Sequence, residues 1–114
     1  MARTPAEPRP DIDGIFAASD LMALGVLRAL RRAGRRVPDD VAVVGFDDIP
    51  LAAAAEPPLT TVRQDTVLQG RAMARMLLSA IRPARPAPSD GGLPDLRGLD
   101  RLVLPVALVE RESA

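Results

Sequence analysis

At 114 residues the chain is long enough for one compact domain and too short for two of ordinary size. It contains neither cysteine nor histidine, which excludes a disulfide framework, thiolate chemistry, the commonest zinc ligands and histidine-based catalysis. Its 15 basic residues, all arginine, are balanced by 15 acidic ones, and aromatics make up 2%, so neither a positive field nor a base-stacking surface points to nucleic acid.

Hydrophobic residues at 47% and charged residues at 26% give the balance of a soluble globular protein, and no apolar run is long enough to cross a bilayer. The opening MARTPAEPRP lacks the apolar stretch of a secretory signal, so the expected setting is cytoplasmic and without membrane contact. Residues 1–11, with Pro5, Pro8 and Pro10, read as a flexible lead-in, and 12–114 as the domain. GIFAAS, Gly14 to Ser19, has strand length. The residues after it have the helical period: Ala23, Val26, Leu27, Leu30 and Ala33 share one face, Arg28, Arg31, Arg32 and Arg35 another, and Gly34 stands where a helix ends. The arginine stripe reads as a solvated face.

VPDD makes a turn, and Val41 to Phe46 comes next as a strand without alternation, as expected where both faces are covered. Strand, helix and strand of this kind form a right-handed βαβ unit, so the fold class is α/β with a parallel sheet flanked by helices. Pro50 to Pro58 reads as a loop and LTTVRQ as a short extended piece. A second helix is predicted over 66–81, with Gly70, Met73, Ala74, Leu77, Leu78 and Ile81 as its apolar set. The proline- and glycine-rich stretch 83–101 reads as a flexible loop. LVLPVALVE closes the chain as strand, with Pro105 favouring an edge or bend.

Ligands of open α/β sheets bind beyond the carboxyl ends of the strands. Here two such ends are polar: Ser19 and Asp20 follow the first strand, Asp47 and Asp48 the second. The plainer reading of Ser19 or Asp20 is a helix N-cap, and that of the aspartate pair is a turn before Pro50.

FAASDLMALGVLRALRRAGRRVPDDVAVVGFDDIP, then PPLTTVRQ, a helix containing GRAMARMLL and a tail LPVALVERES, resemble in order the C-terminal part of the LacI/GalR family of bacterial transcription regulators. The resemblance runs from about Asp11 and omits only the 83–101 loop. It implies part of a periplasmic-binding-protein-like, Rossmann-like effector domain, no enzyme and no cofactor or metal, with a small molecule held between two α/β subdomains. Ligand closure would then alter a homodimer's grip on operator DNA through an N-terminal helix-turn-helix. By motif, Asp47 is the best candidate for bonding the effector, with Ser19 and Asp20 next. An ionised aspartate only accepts hydrogen bonds, which suits the hydroxyls of a sugar or the ring N–H of a base. Leu78, Met76 and the apolar tail are candidates for the dimer contact.

No helix-turn-helix or hinge helix precedes Asp11, so the resemblance leads to the expectation of a fragment that holds half a site and does not bind operator DNA by itself. Two other readings stay open. One is a periplasmic sugar-binding protein of the same fold serving transport. The other is a phospho-acceptor or magnesium site at Asp47 and Asp48, though receiver-type domains of that kind rely on a lysine that this chain lacks.

Overall fold

The apolar run after the proline-rich opening forms β1, Gly14–Phe16, in the computed structural model, which describes residues 11–81, 93 and 95–114. The expected lead-in, apart from residue 11, and most of the expected 83–101 loop lie outside the described residues. β1 pairs in parallel with β2, Ala42–Val44, in the register Gly14 to Ala42, Ile15 to Val43 and Phe16 to Val44. The βαβ unit is therefore present, with α1, Asp20–Arg32, as its crossover.

The ends of α1 follow from its sequence. Ser19 is its N-cap, with extended backbone and an Oγ that accepts from Met22 N–H at 3.3 Å. Asp20 in the first turn and Arg31 and Arg32 in the last complement the helix dipole. Gly34 takes φ 70°, the left-handed conformation that stops a helix. Ala23 and Leu27 are buried, with Leu24, Val26 and Leu30 half-buried beside them. They pack with Ala17, Val43, Ala52 and Leu59 into one core. Ala33, expected on this face, is exposed, because it is the C-cap and lies past the last turn.

Three expectations change. β2 is shorter than Val41 to Phe46, and its second edge is also paired: Gly45 N–H bonds Thr60 O and Asp47 N–H bonds Val62 O, both at 2.9 Å. Parallel bridges from Val44 to Thr60 and Asp47 to Arg63 thereby set β3, Thr61–Gln64, on the far side of β2 from β1. The expected loop after Ile49 contains a short helix, α2, Pro50–Ala54, whose Ala52 is fully buried. Proline suits a first helical position because its missing N–H is not needed there, and alanine has the best helix propensity, which outweighs the flanking prolines.

β3 also pairs with β4, Val106–Val109, which begins directly after Pro105. The chain end then returns to the sheet. Ser113 is fully buried; its Oγ donates to Val43 O at 2.6 Å and accepts from Thr60 N–H at 2.8 Å, while its own carbonyl accepts from Val43 N–H at 2.8 Å. Alanine at this position leaves the buried Thr60 N–H and Val43 carbonyl short of a partner, so Ser113→Ala should lower stability by roughly 1–3 kcal/mol, read from the urea midpoint at constant m-value.

The described chain divides into two compact units, residues 11–63 with 107–114, and residues 64–106. In the second, α3 spans Thr66–Ile81, the range its periodicity predicts. Its covered face differs from the predicted one. Ala72 is buried and Leu68, Gln69, Arg75, Met76 and Ser79 are half-buried. Met73, Leu77, Leu78 and Ile81 are 58–65% exposed, and Gly70 and Ala74 are exposed too. The helix carries two apolar arcs, and within this unit Ala72 and Met76 face Leu102 and Leu104 across a cavity of about 230 Å³.

Candidate functional site

The carboxyl ends of β1, β2 and β3 meet at one rim. Ala17 N–H bonds Val44 O and Asp20 N–H bonds Phe46 O, both at 2.8 Å, which brings Ser19 and Asp20 beside the Phe46-Asp47-Asp48-Ile49 turn. The sequence-based pairing of the two polar strand ends is thus realised. Within it the four polar residues have different positions.

Asp20 is fully buried, below the rim where effector contact was expected of it. Its Oδ1 accepts from Thr61 Oγ1 at 2.5 Å and its Oδ2 from Ile49 N–H at 2.9 Å. The carboxylate therefore ties the start of α1 to the turn after β2 and to β3, each oxygen meeting a donor that would otherwise be buried unsatisfied. It sits against Gly45, where a Cβ would collide with Asp20 Oδ1 and lie 3.0 Å from Leu59 Cδ2. Ser19 is half-buried above it, and its Oγ is the helix cap.

Asp47 and Asp48 have φ of 116° and 55°, a region that residues with a Cβ rarely adopt. Conformations of this kind cost on the order of 1–3 kcal/mol each and persist only where neighbouring contacts enforce them. The contacts are present on both sides. Asp47 N–H is fixed to Val62 O and Ile49 N–H to Asp20, so the dipeptide is held at its entry and its exit.

The Asp48 side chain supplies the third hold. Its carboxylate, 9% exposed, accepts from Arg111 Nη2 on Oδ1 at 2.8 Å and from Arg63 Nε on Oδ2 at 2.6 Å. Arg111 is itself anchored, since its Nη1 donates to Leu59 O at 2.9 Å and its backbone N–H to Thr60 Oγ1 at 2.8 Å. Burial by itself would raise the Asp48 pKa, but the hydrogen bonds from Arg111 and then Arg63 outweigh it and hold the carboxyl below its ordinary 3.8. A depressed carboxyl contributes stability that is present above the ordinary value and lost as pH falls through the lowered one. The stability difference between the wild type and Asp48→Asn should therefore be roughly 1–3 kcal/mol at pH 6 and should shrink below about pH 4, read from urea midpoints across that range.

With Asp48 occupied by two guanidinium groups, the aspartate pair does not offer a cation two carboxylates, and among the described residues no group of three or more acidic side chains could hold a metal. The arrangement suits a different task. It presents Asp47, half-buried at the mouth of the parallel sheet, on a backbone that its neighbours fix. Sequence reading singled out Asp47, Ser19 and Asp20 but missed Thr61, Arg63 and Arg111, the partners of Asp20 and Asp48. Their positions near Asp20 and Asp48 come from chain segments distant in sequence, which no local spacing encodes.

Among the described residues no helix is long and apolar enough to cross a membrane. A family model described as a periplasmic binding protein-like domain matches residues 1–114. The chain is 52% identical over 104 residues, 91% of its length, to the HTH-type transcriptional regulator CelR of Thermobifida fusca, and spans 27% of that protein. Among solved structures it matches the transcriptional regulator CelR–cellobiose complex with 51% identity and a TM-score of 0.74, over 92% of this chain and 29% of that one. It also matches the lac repressor dimer bound to operator and the anti-inducer ONPF, with 34% identity and a TM-score of 0.72 over 89% of this chain and 31% of that one. With the parallel sheet, its crossover helix and the acidic rim in place, the chain belongs to the LacI/GalR family, as part of a periplasmic-binding-protein-like effector domain.

Proposed function

We propose that the chain forms one wall of the effector cleft of a LacI/GalR-type transcriptional regulator and senses a neutral, hydroxyl-rich small molecule of the sugar class. The observation that carries this reading is the Asp47–Asp48 turn. Two strained residues are held at the carboxyl end of a parallel strand, and it is beyond such ends that open α/β sheets bind ligands, which supports Asp47 as the acceptor. The likeness to a cellobiose-bound regulator supports the choice of sugar. Asp47 accepts from effector hydroxyls, Ser19 lends a short polar contact, and Asp20 holds the turn from beneath.

In this reading the chain is not an enzyme and works in the cytoplasm. Operator DNA is contacted by a helix-turn-helix outside these 114 residues, within a homodimer to which the exposed Leu78 and the half-buried Met76 contribute. A charge-assisted hydrogen bond in a desolvated site is worth about 1.5–3 kcal/mol, or roughly ten- to a hundred-fold in affinity. Titration calorimetry of the native product from its host, with a panel of neutral sugars headed by cellobiose, should find saturable binding that Asp47→Ala weakens by that factor. Unchanged affinity in the variant would remove Asp47 from the site, and no binding by any sugar would end the sugar reading.

A further inference from the structure

Asp47 cannot be aimed by its own backbone preference, because φ of 116° is disfavoured for any residue with a Cβ. Something outside the turn must select that conformation. The side chain of the neighbouring Asp48 reaches two other segments, bonding Arg63 on β3 and Arg111 in the tail. These two differ. Arg63 has a side chain 60% exposed and makes its bond to Asp48 in solvent, so it adds a weakly held contact. Arg111 has a side chain 18% exposed and is fixed by bonds to Leu59 O and Thr60 Oγ1 as well. Ser113, two residues on, bonds Val43 O and Thr60 N–H, contacts that involve neither Arg111 nor Asp48.

We propose that Arg111 is a positioning residue for effector binding: through its ion pair with Asp48 it holds the Asp47–Asp48 turn in the conformation that presents Asp47 to the ligand. This rests on the reading of Asp47 as the effector acceptor. The tail thereby sets effector affinity through the turn, and a change at Arg111 should be felt at Asp47, next to the other end of the ion pair. A structural tail with no such role would alter stability alone.

The test compares Arg111→Met with Ser113→Ala, which loosens the same tail while leaving the Arg111–Asp48 pair intact, and with Arg63→Met. Cellobiose is the probe, titrated calorimetrically into the native product, with Tm recorded for each variant. The expected result is at least about a tenfold loss of affinity in Arg111→Met, a change within about twofold in Ser113→Ala despite its lower Tm, and an intermediate effect in Arg63→Met. Arg111→Lys keeps the charge but not the fork that reaches Leu59 and Asp48 together, and should recover part of the loss. Equal losses in Arg111→Met and Ser113→Ala, or no loss in either, would overturn the proposal.

A second readout does not depend on the ligand. Amide residual dipolar couplings of Asp47 and Asp48 should change in Arg111→Met and not in Ser113→Ala; if they are the same in both variants, the positioning role is wrong even where cellobiose fails to bind the wild type. Failure of the wild type to bind with altered couplings in Arg111→Met would count against cellobiose as effector and leave the positioning role supported. Should Arg111→Met not fold, Asp48→Ala, which removes the acceptor end of the same pair, takes its place with the same expected outcomes.

Discussion

Asp20→Ala should lower the stability of the chain by about 3–4 kcal/mol. The side chain is fully buried and each oxygen has one donor, Thr61 Oγ1 and Ile49 N–H. Truncation leaves the buried Thr61 hydroxyl and the part-buried Ile49 N–H without their acceptor, at roughly 1–3 kcal/mol apiece, and also leaves a small void beneath the turn. Asp20→Asn should cost much less, about 1 kcal/mol. Its carbonyl can keep the Ile49 bond while its amide donates to a rotated Thr61 hydroxyl. Urea unfolding of the three proteins decides the matter: an alanine variant within about 1 kcal/mol of the wild type would show that the three-way tie is not what holds the rim together.

A methyl group at Gly45 should cost about 3 kcal/mol although it adds one carbon atom. The site has no room, since the new Cβ would run into Asp20 Oδ1 and stand 3.0 Å from Leu59 Cδ2 and 3.3 Å from Ala23 Cβ. Nor can the backbone step aside, because Gly45 N–H is bonded to Thr60 O at 2.9 Å and begins the crossing from β2 to β3. Overpacking in a fixed core costs on the order of 1–3 kcal/mol, and the collision here is with a buried carboxylate that has two bonds of its own. The two predictions are coupled. In an Asp20→Ala background the obstacle is gone, so Gly45→Ala should cost at least about 1 kcal/mol less than in the wild type, the signature of direct contact in a double-mutant cycle. Strict additivity would mean that Gly45 is needed for some reason other than the approach of Asp20.

Both effects concern residues whose roles local sequence does not separate. The chain contains SerAsp after one strand and AspAsp after another, four small polar residues with similar turn and cap preferences. Placement beyond the strand ends follows from the βαβ pattern, and Ser19 as a cap follows from its position before a helical period. Which aspartate is buried and which stands at the rim does not. That depends on Thr61, Arg63 and Arg111 arriving from β3 and the tail, and long-range partners leave no periodicity behind.

The same division runs through the fold. The sequence by itself determined the α/β class, the βαβ unit, the bounds of α3 and the stop of α1 at Gly34, because each is written in a repeat of apolar residues or in a local backbone preference. It also determined the family, through several motifs in order. Tertiary structure alone decided that α3 covers its Leu68, Ala72 and Met76 arc and leaves Met73, Leu77 and Ile81 exposed, since two apolar arcs on one helix are equivalent until a neighbour packs on one. It decided that β2 ends at Val44, because a strand's extent is set by where its partners lie. And it decided that Asp20 is buried while Asp47 stands at the rim: burial is a property of what surrounds a side chain, and the chain brings those surroundings together only when it folds.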